Sequence, residues 1–341
     1  MYTINGIDYS KDELIDLAKK KVQVLDDWEK DFYNFILEWF NSEDFVSGHT
    51  SGTTGNPKSI SLNKSNMINS AKRTMTFFNL KKRSNLLLCL STDYIAGKMM
   101  VVRALEFGMN LITIPPTISD LLNLNINIDL VALVPYQMSK LIKKKSIMDN
   151  IGFVLLGGAA VNNSLLKEIQ CINTQVYATY GMTETLSHIA LKKINGDSKS
   201  DLFSILPGVS ISIDNRNCLV VKVFGKTFIT NDIIRMVDNN RFEWLGRYDN
   251  VINSGGLKFI PEQIESKLQY IIKHRYYISS EKDNDLGNII VLFIESEKFS
   301  VEKENSLFEE MRKVLSKYEI PKSIYYLDSF NETSNGKLIR N

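Results

Sequence analysis

One stretch near the start of the chain, Gly48-His-Thr-Ser-Gly-Thr-Thr-Gly-Asn-Pro-Lys-Ser59, has the residue types that bind phosphate. It contains three glycines, five hydroxyl residues and Lys58. Glycine and Pro57 disfavour both helix and strand here, so backbone N–H groups and hydroxyls are left to face an anion. A Walker loop ends in Gly-Lys-Ser/Thr, but in this chain Pro57 precedes Lys58. The stretch therefore predicts another kind of phosphate-binding loop in a nucleotide-handling enzyme, with an ordinary surface loop as the alternative.

Polar and glycine-rich segments also follow several apolar runs between residues 64 and 190. The runs are Asn85–Leu90, Asn110–Ile114, Asp129–Val134, Ile151–Leu156 and Gln175–Thr179. Helical patterns separate them at Lys98–Phe107, Tyr136–Lys145 and Asn163–Cys171. Apolar strands that alternate with helices predict a mostly parallel sheet covered on both faces. Ligands bind beyond the carboxyl ends of such strands, which makes candidates of Ser91–Tyr94, Pro135, Gly157–Ala160 and Tyr180–Glu184.

The remaining segments predict the structure on either side of this sheet. Ser10 and Glu13 have the spacing of a helix capping box, and aromatic residues between Trp28 and Phe40 recur at helical spacing. Short β-branched runs then predict an antiparallel meander, at Val209–Ile213, Cys218–Val223, Thr227–Ile229, Ile233–Val237 and Phe242–Leu245. Further on, Pro261 begins a helix with Ile264, Leu268, Ile271 and Ile272 on one face. The predicted fold class is α/β, with a large domain over residues 1–246, β-rich at 203–246, and a small α+β domain over 247–341.

Composition argues against several classes of protein. The 341 residues include 41 basic and 39 acidic side chains, a net charge of +2, so we expect no nucleic-acid partner. The three cysteines have no metal-ligand spacing, which suits a reducing compartment. The sequence shows neither a signal peptide nor an apolar run of membrane-spanning length. We therefore expect a cytoplasmic protein without membrane insertion.

Six motifs, in the same order along the chain, resemble those of the adenylate-forming superfamily of acyl-CoA synthetases, adenylation domains and luciferases. They are Thr50–Lys58, Gly157–Ala159, Tyr180–Thr185, Phe228–Ile233, Gly246–Gly256 with Ile260–Glu265, and Gly336-Lys337. Enzymes of this superfamily join a carboxylate to the α-phosphate of ATP, release pyrophosphate, and pass the acyl group to a thiol. The resemblance implies a small-molecule carboxylic acid as substrate, with ATP, Mg²⁺ and CoA, and a mobile C-terminal domain.

The resemblance also implies which residues hold the nucleotide. The β- and γ-phosphates would be held by Thr50, Ser51, Gly52, Thr53, Thr54, Gly55 and Lys58. Thr183 would hydrogen-bond the α-phosphate, and Glu184 would bind Mg²⁺, a cation that prefers carboxylate and phosphate oxygens. The adenine would be enclosed by Gly158, Ala159 and Tyr180, with Gly181 beside them. Asp232 and Arg247 would bind the ribose hydroxyls.

Two further positions carry roles in the catalytic cycle of the superfamily. Lys337 matches the adenylation lysine, a cation that offsets the repulsion between carboxylate and phosphate. Asp249 matches the hinge at which the small domain rotates between the two half-reactions, after which Ser254–Leu257 faces the thiol. Each charged residue also has an ordinary alternative. Arg247 and Asp249 can form an ion pair in a turn. Glu184 can interact favourably with the dipole at a helix N-terminus, and Lys337 can be a solvent-exposed lysine without a catalytic role.

The chain departs from the superfamily pattern at three points. Asn231 replaces the usual glycine before Asp232, and Phe330-Asn331 stands where a proline is common before the last motif. Only 47 residues precede Gly48, where most members have a large N-terminal lobe, so the chain reads as a shortened form. None of these changes removes a charged catalytic group. A shortened lobe leaves surface that a homo-oligomer would cover.

The segment after Leu90 bears on which acid is bound. Tyr94, Lys98 and Arg103 lie in the Tyr-Ile-Ala-Gly-Lys-Met-Met-x-x-Arg-Ala block, which resembles that of the o-succinylbenzoate–CoA ligases of menaquinone synthesis. That acid has two carboxylates, so activation of one leaves the other in need of a cation. Arg103 or Lys98 is the candidate partner. Alternatively, both lie on a surface helix and extend their charges into solvent.

Two other functions remain open on the sequence alone. One is a ligase for another carboxylic acid, or one that loads a carrier protein instead of CoA. The other is a nucleotide-binding protein without catalytic activity, against which the presence of Glu184 and Lys337 argues.

Overall fold

The computed structural model describes residues 1–25, 27–49, 59–159, 161–331 and 338–340. The chain divides into two units, residues 1–160 with 167–209 and residues 161–166 with 210–341. In those described ranges, no helix combines the length and the apolar character that crossing a bilayer requires.

Strands are interspersed with helices along the chain as far as residue 209. The strands are β1 (Tyr2–Ile4), β2 (Ile7–Tyr9), β3 (Phe45–His49), β4 (Ser59–Asn63), β5 (Asn85–Leu88), β6 (Asn110–Thr113), β7 (Ile128–Leu133), β8 (Ile151–Leu156), β9 (Gln175–Gly181), β10 (His188–Lys193) and β11 (Phe203–Ile205). The helices are α1 (Lys11–Val24), α2 (Trp28–Phe40), α3 (Lys64–Phe77), α4 (Ile95–Phe107), α5 (Ile118–Leu121), α6 (Pro135–Leu141), α7 (Lys145–Met148) and α8 (Asn163–Ile169).

A mixed sheet runs through the first unit in the order β11-β10-β9-β8-β7-β5-β6-β1-β2. Strands β5 to β9 pair in parallel, whereas β10 and β11 are antiparallel to their neighbours. The predicted α/β class and mostly parallel sheet are confirmed. The capping box of α1 is confirmed as well, because Ser10 and Glu13 exchange hydrogen bonds with each other's backbone.

Helix α4 is buried from Gly97 to Leu105, including Lys98 and Arg103. The surface-helix alternative is therefore wrong. Close packing at its first turn explains Gly97, because a Cβ there would lie 2.2 Å from the carbonyl oxygen of Ser91. The apolar residues around the two cations supply the burial that holds the helix in place.

The second unit contains strands β12 (Ser210–Ile213), β13 (Cys218–Val223), β14 (Lys226–Asp238), β15 (Arg241–Arg247), β16 (Ile252–Ser254), β17 (Leu257–Phe259), β18 (Tyr276–Asp283), β19 (Gly287–Glu295) and β20 (Ser323–Leu327), and helices α9 (Pro261–Leu268) and α10 (Val301–Val314). Strands β12 to β15 form the predicted antiparallel meander. Strands β18, β19 and β20 form a separate sheet. A core that spans residues 252 to 315 lies beneath that sheet.

Two predicted boundaries in this unit are wrong. The runs Thr227–Ile229 and Ile233–Val237 belong to one strand, β14, because the register shifts against β13 and accommodates the polar residues between them. Helix α9 ends at Leu268, so Ile271 and Ile272 lie beyond it. The predicted division at residues 246 and 247 falls inside the second unit and stays a prediction.

Candidate active site

The predicted phosphate loop, Thr50, Ser51, Gly52, Thr53, Thr54, Gly55 and Lys58, lies outside the described residues, and so does Lys337. The strands on either side of the loop are described. β3 and β4 form an antiparallel pair in which His49 is opposite Ser59. The two residues that flank the predicted loop are therefore neighbours in one antiparallel pair.

The turn after β9 contains Thr183 and Glu184 of the predicted nucleotide site. Its 3-10 helix spans Thr183–Thr185. The Thr185 hydroxyl accepts a hydrogen bond from the Met182 N–H at 3.0 Å and lies 2.9 Å from the Ser187 carbonyl, to which it donates. Leu186 has a φ of 67°, a left-handed conformation that is rare for a large side chain and often marks a functional site.

Glu184 is exposed at this turn and makes no hydrogen bond or ion pair with the residues described in this structure. Thr183 beside it is half-buried. A carboxylate without a protein cation suits Mg²⁺, which takes most of its ligands from phosphates and water. Among the described residues there is no cluster of three or more His, Cys, Asp or Glu that would hold a metal by itself. The site therefore fits an ion that arrives with a nucleotide.

Gly158 and Ala159 directly follow β8, and Tyr180 lies near the end of the neighbouring strand β9. The two strands pair in parallel with Leu156 opposite Ala178, and a Cβ on Gly157 would lie 2.3 Å from the Thr179 hydroxyl. Gly158 has a φ of 87°. These glycines allow backbone to approach a flat ligand closely.

Tyr180 and Gly181 also have structural roles at the end of β9. The Tyr180 ring packs edge-on against Phe203 with 5.8 Å between ring centroids. A Cβ on Gly181 would lie 2.4 Å from the Ser187 carbonyl oxygen, so the close β9–β10 hairpin itself requires glycine at this position.

Asp232 and Arg247 are brought together in the second unit. They are opposite each other in the β14–β15 pair, with 3.8 Å between Asp232 Oδ1 and Arg247 Nη1. The Trp244 indole N–H donates to Asp232 at 3.1 Å. Asp232 lies beside a register shift between β14 and β15, and irregularities of this kind often aim side chains at a ligand.

Asp249, the predicted hinge residue, is held by two neighbours. Arg247 Nη2 donates to its carboxylate at 2.7 Å. The alternative in which Arg247 and Asp249 form an ion pair in a turn is therefore present in the structure. The Asn231 amide also donates to it at 3.0 Å, a bond that the usual glycine at this position could not make. Arg216 Nη1 in turn donates to the side-chain Oδ1 of Asn231 at 2.9 Å.

On α4, the two cations of the predicted acid pocket have different surroundings. Lys98 Nζ lies 3.9 Å from Glu38 Oε2 and 4.6 Å from the centroid of the Phe35 ring. Burial lowers the pKa of Lys98, and Glu38 opposes that shift. Tyr94, directly before the helix, is 46% exposed. Lys98 thus already has a carboxylate partner in the protein.

Arg103 is 2% exposed and has no carboxylate partner among the described residues. Its Nη2 donates to the Ser187 hydroxyl at 2.9 Å and its Nη1 contacts the Met100 sulfur at 3.4 Å, while its Nε–H has no acceptor among the residues that the structure describes. Burial lowers the pKa of Arg103 to about 9, so the side chain is still a cation at neutral pH. An uncompensated buried charge is costly, and an anionic ligand would remove that cost.

Similarity to known proteins identifies the family of this chain. The family profile described as AMP-binding enzyme matches residues 14–224. The chain belongs to the AMP-binding enzyme family. It is similar to a 2-succinylbenzoate–CoA ligase of Lactococcus lactis, with 27% identity over 86% of this chain and 69% of that protein.

Two solved structures extend the likeness. An acyl-CoA synthetase (AMP-forming)/AMP-acid ligase II-like protein of Dyadobacter fermentans is 36% identical, with a TM-score of 0.64, over 95% of this chain and 96% of that one. The O-succinylbenzoate coenzyme A synthetase (MenE) of Bacillus subtilis, solved with ATP and magnesium, has a TM-score of 0.73 at 22% identity over 86% of this chain and 68% of that one. The chain is an adenylate-forming, AMP-producing acid–CoA ligase.

Sequence reasoning missed two polar residues of this AMP-binding enzyme. Ser187 accepts a hydrogen bond from Arg103, and His188, whose Nε2 lies 3.0 Å from the Thr74 hydroxyl, is close enough to Arg103 to be influenced by its charge. Their signal in the sequence was a polar pair between the Tyr180–Thr185 motif and the apolar run Ile189–Leu191. Burial, and then the charge of Arg103, hold the pKa of His188 well below its ordinary value of 6.5. The ring is therefore neutral in the folded protein, which leaves Arg103 as the cation.

We expect His188 to make the folded protein sensitive to mild acid. Unfolding restores the ordinary pKa, so below about pH 6.5 the unfolded chain takes up a proton that the folded chain does not. Above that pH the free energy of unfolding is not reduced by His188, and below it the free energy of unfolding falls by up to about 1.4 kcal/mol for each pH unit. Urea unfolding at several pH values should show a flatter dependence for His188→Gln. His274→Gln, at an exposed histidine, is the control, and an equally steep curve for both variants would contradict the assignment.

Proposed function

We propose that this AMP-binding enzyme activates o-succinylbenzoate and transfers it to CoA. The observation that carries the proposal is Arg103, a buried guanidinium without a carboxylate partner among the described residues, on the helix expected to line the acid pocket. The name of the Lactococcus relative, 2-succinylbenzoate–CoA ligase, points to the same acid. One carboxylate of the acid would bind Arg103 and the other would react.

The reaction has two steps. In the first, the reacting carboxylate oxygen attacks the α-phosphorus of ATP, and the bond to the β-phosphate breaks so that pyrophosphate leaves. In the second, the CoA thiolate attacks the acyl carbonyl carbon, and AMP leaves with the electron pair of the mixed anhydride bond. Both steps bring anions together, so the protein has to supply cations and oriented N–H and O–H dipoles.

The residues proposed to bind the nucleotide come from several motifs along the chain. Those assigned to the β- and γ-phosphates are Thr50, Ser51, Gly52, Thr53, Thr54, Gly55 and Lys58. Those assigned to the adenine are Gly158, Ala159, Tyr180 and Gly181. Thr183 hydrogen-bonds the α-phosphate, and Asp232 with Arg247 binds the ribose, where the Trp244 bond keeps the Asp232 carboxylate oriented. Glu184 holds Mg²⁺, which when bound screens the phosphate charge.

Lys337 and Asp249 carry the proposed change between the two steps. Lys337 stabilises the charge that develops during adenylation, and rotation at Asp249 then exchanges that lysine for the Ser254–Leu257 segment. The rotation has to break or carry along the bonds from Arg247 and Asn231 to Asp249. This step assumes the division into domains at residues 246 and 247.

In the acid pocket, Arg103 fits the role of carboxylate partner better than Lys98. Lys98 is compensated by Glu38, whereas Arg103 has polar but neutral neighbours, the Ser187 hydroxyl and the His188 ring. A guanidinium also binds a carboxylate through two parallel N–H···O bonds, which fixes the orientation of the acid. Tyr94 contributes an exposed aromatic ring that we assign to the acid site.

The test is acid-dependent pyrophosphate release with ATP and CoA. We expect o-succinylbenzoate to be used with a kcat/KM roughly 100-fold or more above that of benzoate or a medium-chain fatty acid, because only a dicarboxylate satisfies the buried cation. Preference for a monocarboxylate would refute the choice of acid. Transfer to a carrier protein but not to CoA would contradict the acceptor, and tight ATP binding without any acyl-adenylate would refute catalysis.

A further inference from the structure

A line of hydrogen-bonded polar groups lies behind Arg103 in the first unit. His188 Nε2 lies 3.0 Å from the Thr74 hydroxyl of α3, and His188 Nδ1 lies 3.3 Å from the Ser187 hydroxyl. That Ser187 hydroxyl accepts the Arg103 Nη2–H at 2.9 Å. At the other end, the Thr74 hydroxyl donates to the Ser70 carbonyl at 3.4 Å. One hydrogen-bonded chain therefore connects α3 to the guanidinium of α4.

The backbone of Ser187 and His188 is fixed by its neighbours. The Thr185 hydroxyl donates to the Ser187 carbonyl at 2.9 Å, and β9 lies so close that a Cβ on Gly181 would be 2.6 Å from the His188 Cα. The register of β10 against β9 then shifts between His188 and Ala190. An irregularity of this kind redirects a side chain and is common beside active sites.

One arrangement of hydrogens uses every bond of this chain. A guanidinium only donates, so Ser187 accepts from Arg103 and has its own hydrogen left for His188 Nδ1. Burial and the charge of Arg103 keep the pKa of His188 low, so the ring is neutral and carries a single N–H. That N–H is then on Nε2 and donates to Thr74, whose own hydrogen is left for the Ser70 carbonyl. The opposite tautomer would leave the Ser187 hydrogen without an acceptor in this chain.

We propose that His188 and Thr74 are positioning residues that orient Arg103 through Ser187, an inference that rests on the carboxylate-binding role proposed for Arg103. Because its hydrogen is directed at His188, the Ser187 oxygen presents its lone pairs to the guanidinium. The plane of the guanidinium is then set, and a carboxylate can bind it through two parallel bonds. A guanidinium that turned freely would hold the acid, and so its reacting carboxylate, less accurately.

The surroundings of Arg103 make this direction important. Ser187 is the one oxygen among the described residues that accepts a hydrogen bond from Arg103, since the other contact is the Met100 sulfur, a weak acceptor. Arg103, His188 and Thr74 are all buried. A buried donor that loses its acceptor has a free-energy cost, so the loss of one bond should rearrange the chain.

The experiment combines NMR of the His188 ring with kinetics on two acids. Nitrogen-15 spectra of the imidazole distinguish the two neutral tautomers, and the signal is assigned by its absence from His188→Gln. Thr74→Val keeps the shape of the side chain and removes the hydroxyl, whereas Thr74→Ser keeps the hydroxyl. Thr174→Val is the matched control, because Thr174 is another buried threonine whose hydroxyl donates to a backbone carbonyl, that of Met148 at 2.6 Å.

We expect the unmodified protein to hold His188 as the Nε2–H tautomer. Thr74→Val removes the acceptor of that N–H, so the population of the Nδ1–H tautomer should rise. Its kcat/KM for o-succinylbenzoate should fall about tenfold, mainly through KM, while that for benzoate changes less than about threefold. Thr74→Ser should retain the tautomer and the preference for o-succinylbenzoate, and Thr174→Val should leave the tautomer and both acids unchanged.

Two results would overturn the proposal. One is an Nδ1–H ring in the unmodified protein, and the other is an equal loss of kcat/KM on both acids in Thr74→Val. If the unmodified enzyme has no preference for o-succinylbenzoate over benzoate, the proposed function fails instead. The tautomer in the unmodified protein then still decides whether the Ser187 hydrogen is directed at His188.

Discussion

Replacing Lys337 by alanine is expected to slow acyl-adenylate formation by roughly two to three orders of magnitude. Adenylation brings an acid carboxylate to a triphosphate, and charge moves toward the departing pyrophosphate as the bond to the α-phosphate breaks. An ammonium placed at that oxygen acts mainly on the transition state, so its loss should lower kcat more than it raises the KM for ATP. Rapid-quench measurement of the acyl-adenylate gives the rate directly.

The second half-reaction provides the internal comparison for Lys337→Ala. Thioester formation from supplied acyl-adenylate releases AMP and not pyrophosphate, so it should stay within about threefold of the unmodified enzyme. Lys322→Ala, which removes an exposed lysine of the same unit, should leave both steps unchanged. A similar loss in both steps would show that Lys337 supports the structure of the C-terminal region and has no selective part in adenylation.

The sheet could be predicted from the sequence because its strands are buried on both faces. Ile151–Leu156 is a continuous apolar run, and β8 has those bounds. The same rule failed at β14, where the polar segment Thr230–Asp232 interrupts the apolar pattern while the backbone stays extended. The Thr230 hydroxyl donates to the Leu219 carbonyl at 2.8 Å, and so compensates for ladder bonds that the irregular register loses. A polar motif inside a strand therefore looked like a turn.

The difference between Lys98 and Arg103 could not be predicted, because it depends on partners far along the chain. Glu38 lies on α2, sixty positions before Lys98 in the sequence, and the same carboxylate accepts a bond from the Ser47 hydroxyl at 2.7 Å. The partner of Arg103, Ser187, is 84 residues away. Residue type and spacing placed both cations on one helix. Only tertiary packing shows that one of them is compensated and the other is not.

Replacing Arg103 by methionine is expected to separate substrate binding from stability. Removing one partner of a buried, hydrogen-bonded charge pair costs about 2–5 kcal/mol, so kcat/KM for o-succinylbenzoate should fall by roughly 30-fold to several thousand-fold. The ligand-free protein should keep or gain thermal stability, because a buried cation without a carboxylate is replaced by an apolar chain of similar length. Steady-state kinetics and a thermal unfolding scan without ligand measure the two effects.

Lys98→Met is the matched control, because it removes the other buried cation of α4. That change leaves the Glu38 carboxylate without its cation. It should therefore lower the stability of the protein and change kcat/KM for dicarboxylates and monocarboxylates alike. Arg103→Met should leave the slow turnover of benzoate unchanged or improve it, since benzoate cannot satisfy the guanidinium. A fall in stability together with equal losses on both acids would mean that Arg103 holds α4 against Ser187 and selects no substrate. If kcat/KM for o-succinylbenzoate falls while the thermal stability of the ligand-free protein is kept or rises, Arg103 recognises the second carboxylate at a cost to stability.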